Sequence, residues 1–124
     1  MAGILKVTVL EAKNLKSEDL LGKNDPYVVL WVDPNHKQKT SVKNQAGAHA
    51  TWNEQFSFAV NQDDHKTLHL TVLDQDLIHD DKIGSGSFSF SQLGPQPVDV
   101  WVPLPAHLFF SHGEVRLSVS YHKA

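Results

Sequence analysis

The stretch TLHLTVLDQDLIHDDKIG, residues 67–84, carries two signals back to back. Leu68, Leu70 and Val72 alternate with Thr67, His69 and Thr71, the period of two that sends successive side chains to opposite faces of a strand. The alternation then breaks into Asp74, Asp76, Asp80 and Asp81 around Leu77 and Ile78, and Gly84 closes the segment. The same period recurs where Leu5, Val7 and Val9 alternate with Lys6, Thr8 and Leu10, and where Phe56, Phe58 and Val60 alternate with Gln55, Ser57 and Ala59. Further strands are predicted over 27–32, 38–42, 84–90, 98–104 and 114–121. Turn signals separate them, among them Asp33-Pro34-Asn35, Asn61-Gln62-Asp63-Asp64 and Gly94-Pro95. Eight short strands and no amphipathic helix predict an all-β, eight-stranded antiparallel sandwich.

Length and composition narrow the classes. A chain of 124 residues, 40% hydrophobic and 20% charged, is expected to form one domain over residues 1–124. It has no cysteine, which excludes disulfides and thiolate metal sites. No Asn-x-Ser/Thr acceptor is present. The opening MAGILKVTVLEAKNL lacks the basic leader and continuous apolar stretch of a signal peptide, and no run approaches the ~18 apolar residues of a membrane helix. A cytoplasmic protein that meets membranes from outside is therefore expected. Net charge is −3, which argues against a nucleic-acid partner.

A second acidic stretch, KSEDLLGKNDPYV at 16–28, contributes Asp19 and Asp25. If the fold brings it beside 74–81, the carboxylates repel one another unless cations neutralise them. Compact, often bidentate carboxylate oxygens suit calcium, a hard cation that takes about 6–8 oxygens. Pro26 pushes the residue before it toward extended geometry and so holds Asp25 at a strand entry. Asp74 and Asp76, two apart, point to the same side.

LKVTVLEAKNLKSEDLLGKNDPYVVL, then TWNEQFSF, LHLTVLDQD and DDKIG, in that order, resemble the C2 domain family over essentially the whole chain. The resemblance implies a sandwich whose loops at one end bind calcium and then phospholipid. The first strand begins near residue 1 and GEVRLSVSY supplies a late one, which resembles the phospholipase-type, or type II, strand order. It also implies Asp19, Asp25, Asp74, Asp76 and Asp81 as calcium ligands, with carbonyl oxygens of Leu20 and Gln75 beside them. The third loop is one residue shorter than the common pattern, and His79 stands where an oxygen ligand is often found. Asp80 is accordingly an alternative or a supplement to Asp81.

The loop tips are apolar. Leu20, Leu21, Leu77 and Ile78 either enter the bilayer, each buried aliphatic side chain contributing about 1.5–3 kcal/mol, or fold inward to close the loops. Calcium would cancel the negative tip and let it approach an anionic phospholipid membrane. Lys37, Lys39 and Lys43 read either as a phosphoinositide headgroup patch, which the resemblance makes conceivable, or as charge protecting an edge strand. A calcium-independent module that binds a protein partner is the competing function. His65 and His69 stand four apart, but on a strand that interval spans roughly 13 Å, too far to share zinc. There is no Gly-x-Ser-x-Gly, phosphate-binding glycine loop or His-Glu-x-x-His, so no enzymatic chemistry is predicted.

Overall fold

A computed structural model describes residues 2–17, 23–61, 63–106 and 111–123 of the protein. Its strands are β1 (Ala2–Lys13), β2 (Pro26–Trp31), β3 (Gln38–Lys39), β4 (Ala50–Asn61), β5 (Thr67–Asp74), β6 (Asp81–Ser89), β7 (Val98–Pro105) and β8 (Ser111–Lys123). They form two four-stranded sheets, ordered β4-β1-β8-β7 and β3-β2-β5-β6, and every pairing is antiparallel. This is the sandwich expected from the alternation, with the last strand beside the first as in the type II order. Among the described residues there is no helix long and apolar enough to cross a membrane.

The alternating positions supply the core. Leu5, Val7 and Val9 of β1, Val28 and Leu30 of β2, Phe58 and Val60 of β4, Leu68, Leu70 and Val72 of β5, and Val115, Leu117 and Val119 of β8 are all buried. Phe90, just beyond β6, stacks on Tyr121 with ring centroids 6.3 Å apart. On the outer face of the first sheet, Arg116 of β8 ties three strands together. Its Nε and Nη2 donate to Asp99 of β7 at 2.9 and 2.5 Å, and its Nη1 donates to Glu11 of β1 at 3.0 Å.

Several strands depart from the sequence expectation: β6 and β8 begin at Asp81 and Ser111, each three residues before the expected start, and β3 and β4 differ for local reasons. Strand β3 stops at Lys39, short of residue 42, because Thr40 turns its side chain onto the ladder: Oγ1 accepts from the Val28 amide at 2.9 Å. Strand β4 starts at Ala50, before the alternation at Gln55 becomes visible, because polar Glu54 stands at an inward position of the same phase, and a bulge lies in this first part. Val9 pairs with Glu54 but Glu11 with Thr51, which leaves one extra residue, and Asn53 takes the left-handed φ of 52°. Asparagine tolerates that conformation better than most residues. The bulge lets Trp52 bury itself and donate from Nε1 to the Ser41 carbonyl at 2.9 Å.

The seam between β6 and β7 depends on Gly86. A Cβ there would lie 2.5 Å from the Pro103 carbonyl oxygen and 2.9 Å from Val102 Cγ1, so the strands must part to admit it. Gly86→Ala is expected to cost about 1–3 kcal/mol and lower the urea midpoint. Gly94→Ala, with nothing within 4 Å of its Cβ, should leave the midpoint in place. Equal midpoints for the two variants would refute this account of the seam.

Candidate functional site

Strand β5 runs its buried phase, Leu68-Leu70-Val72, straight into Asp74, which is completely buried at the end of the sheet. Pairing brings two other aspartates to the same place. Pro26 lies opposite Asp74 on one side and Asp81 lies opposite it on the other. The Asp25 amide donates to Asp74 Oδ1 at 2.8 Å, and the Gln75 amide donates to the Asp25 carbonyl at 3.0 Å. Asp25, Asp74 and Asp81 therefore mark the ends of three neighbouring strands.

A further loop joins them that the sequence reading did not include. Asp25 Oδ1 accepts from the Gln45 amide at 2.6 Å, with Gln45 at φ 59°. The Lys43 amide donates to the Pro26 carbonyl and the Gly47 amide to the Asn24 carbonyl, each at 3.0 Å. Buried Asn24 in turn donates from Nδ2 to the Lys16 carbonyl at 2.9 Å. The turn-rich Asn44-Gln45-Ala46-Gly47 run was the available signal, but it holds no acid and so drew no attention.

The loop between β5 and β6 carries the remaining acids. Asp76 is exposed and its Oδ1 accepts from the Leu77 amide at 2.6 Å. Asp80 accepts from the Asp76 amide at 3.1 Å through Oδ1 and from the Tyr27 hydroxyl through Oδ2. The Tyr27 bond, then the Asp76 amide, hold the Asp80 carboxyl below its ordinary pKa, with Lys39 and His79 adding to the effect. Burial, helped by the Asp80 charge, pushes the Tyr27 phenol up to about 12. His79 Nε2 lies 3.6 Å from Asp81 Oδ1. At the tip, Leu77 and Ile78 are 101% and 91% exposed, so neither folds inward.

Asp19, Leu20 and Leu21, expected at the facing tip, lie outside the described residues. Among the described residues no three His, Asp or Glu side chains are grouped to hold a metal ion. Asp25, Asp74, Asp76 and Asp80 each accept a hydrogen bond from a neighbouring donor instead. Chemically the donor types suit a hard cation, since Asp25, Asp74 and Asp81 stand at adjacent strand ends and carry oxygen donors.

The lysines are spread out. Lys37 Nζ sits 4.5 Å above the Trp31 ring, Lys39 pairs opposite Val29 on the β3 edge, and the Lys43 backbone meets Pro26. From Pro26 to Trp31 the strand extends roughly 16 Å, so the backbone positions of the three lysines are spread along its length. His69 stacks on Trp31 at 5.5 Å, an aromatic role that the spacing argument against zinc left open.

The fold is an eight-stranded antiparallel sandwich whose loop between β5 and β6 carries acids around the exposed Leu77 and Ile78. The family model described as C2 domain matches residues 3–104, and the chain belongs to that family. It is 34% identical over 129 residues to Synaptotagmin-5 of Arabidopsis thaliana, covering 96% of this chain and 23% of that protein. A protein of the same plant named Calcium-dependent lipid-binding protein is 33% identical over 92 residues, covering 73% of this chain and 18% of that one. The solved C2A domain of plant Extended Synaptotagmin 1 superposes with a TM-score of 0.87 at 26% identity, covering 98% of this chain and 95% of that domain. This chain thus spans less than a quarter of the length of those curated relatives.

Proposed function

We propose that this domain is a calcium-dependent phospholipid-binding module that docks peripherally on anionic membranes from the cytoplasmic side. The observation that carries the reading is the loop between β5 and β6, where Leu77 and Ile78 stand almost fully exposed between the carboxylates of Asp74 and Asp76 and those of Asp80 and Asp81. Membership of the C2 family and likeness to a relative named for calcium-dependent lipid binding support it.

In this reading Asp25, Asp74, Asp76 and Asp81, with Asp19 and the carbonyls of Leu20 and Gln75, would hold calcium. Bound there, calcium supplies positive charge and open coordination positions for lipid phosphate or carboxylate oxygens. The chain's own part is to keep the carboxylates at adjacent strand ends and to present Leu77 and Ile78 beyond them. The domain is read as a non-enzymatic C2 module.

A calcium-independent module for a protein partner is the second reading, favoured by the way Asp25, Asp74, Asp76 and Asp80 already meet donors within the chain. Liposome sedimentation separates the two. With phosphatidylserine in phosphatidylcholine vesicles, the domain is expected to pellet in calcium and stay in the supernatant in chelator. Equal sedimentation in both refutes calcium dependence. Adding phosphoinositide to the vesicles reports on Lys37, Lys39 and Lys43, whose replacement by Ala should lower binding only if they form a headgroup site.

A further inference from the structure

Residues directly opposite one another in a strand pair share a face of the sheet. Pro26 and Asp81 both lie opposite Asp74, so Asp81 shares the face on which Asp74 is buried. Tyr27, one residue beyond Pro26, belongs to the other face together with Val29 and Trp31. Asp80 is bonded to Tyr27, and its second oxygen accepts from the Asp76 amide. One carboxylate thus links the outer face of β2 to the first turn of the 75–80 loop. Asp80 and Asp81 are neighbours in sequence, but the fold assigns them to different faces.

We propose that Asp80 is a positioning residue, which with the Tyr27 hydroxyl clasps the 75–80 loop onto β2, and that Asp81 rather than Asp80 is the closing ion ligand. The ligand half rests on the calcium reading above; the clasp does not. Tyr27 suits the role because the residue is only 8% exposed although it stands on the outer face, so the hydroxyl is a fixed anchor rather than a mobile surface donor. The clasp also sets how Leu77 and Ile78 are presented, because the Asp76–Asp80 bond closes the turn that carries them.

Two measurements on the whole domain test this. In chelator, hydrogen exchange at the Asp76 and Leu77 amides should be roughly tenfold faster in Tyr27→Phe and Asp80→Ala, as expected when a hydrogen bond to a charged group is lost. Asp80→Asn should exchange like the original chain, since an amide still accepts from Asp76 and a tyrosine hydroxyl both donates and accepts. A purely structural role would instead raise exchange across β2 and β5 together. Unchanged exchange in Tyr27→Phe, or acceleration spread evenly through the sheet, would overturn the clasp.

Calcium titration calorimetry then addresses the ligand. Asp81→Asn should lose an ion or about tenfold in affinity, whereas Asp80→Asn should keep the number of ions and stay within about threefold. The reverse order would make Asp80 the ligand. If the original chain takes up no calcium, the proposed function fails, and the exchange result still decides the clasp.

Discussion

Asp76→Asn is expected to remove most of the rise in melting temperature that calcium produces, while leaving the melting temperature in chelator where it was. A ligand that binds only the folded chain stabilises it by RT ln(1 + [L]/Kd), about 2.7 kcal/mol at a hundredfold excess over Kd, which in a domain of this size is a rise of about 10 °C. Of the proposed ligands Asp76 gives the cleanest reading. Its side chain is exposed and bonds only to the next amide in its own loop, so folding does not lean on it. Asp25 is a poorer probe because its carboxylate also fastens Gln45, and Asp74 because it is buried and fastens the Asp25 amide. Asp64→Asn, in the loop at the other end of β5, should keep the full calcium response. Magnesium should stabilise less than calcium, since it demands tighter octahedral geometry and sheds water reluctantly. A melting temperature unmoved by millimolar calcium in the original chain refutes the ion assignment. Equal losses in Asp64→Asn and Asp76→Asn would reduce it to diffuse charge.

The strands were legible wherever one face is buried and the other wet, because burial then writes a period of two into the sequence. Strand β5 shows this most plainly, and its phase runs on to Asp74 without a break. Two things broke the rule. In β4 the inward phase of Ala50 and Trp52 runs on unbroken to Phe58 and Val60, but polar Glu54 occupies an inward position beside Asn53, so the strand was readable only from Gln55 onward. In β3 the Thr40 hydroxyl takes over a ladder bond, and a polar side chain replacing a backbone partner leaves no periodic trace. The acids themselves were visible as composition, but their grouping depends on β2 pairing with β5, strands separated by two others in the chain. Nothing local in the sequence states that Asp25 meets Asp74, that Gln45 caps Asp25, or that Tyr27 claims Asp80. Those contacts are tertiary, and a face assignment that divides two adjacent aspartates appears only once the register is known.

Replacing both Leu77 and Ile78 with Ser should weaken calcium-dependent liposome binding by about 2–4 kcal/mol, roughly 30- to 1000-fold, and leave calcium affinity in solution almost unchanged. The two side chains are already in water in the free domain, so the core loses nothing and the fold should melt where it did. What is lost is the transfer of two aliphatic groups into the bilayer, a term that calcium coordination cannot replace. Salt divides the contributions further. At about 0.5 M NaCl the screening length is only ~4 Å, so attraction between a calcium-loaded tip and anionic headgroups is heavily reduced while apolar transfer is not. The original domain should therefore still sediment with phosphatidylserine vesicles in calcium and high salt, and the double variant should stay in solution. If the variant binds as tightly as the original, docking is a headgroup bridge alone, and the exposure of Leu77 and Ile78 has no part in it.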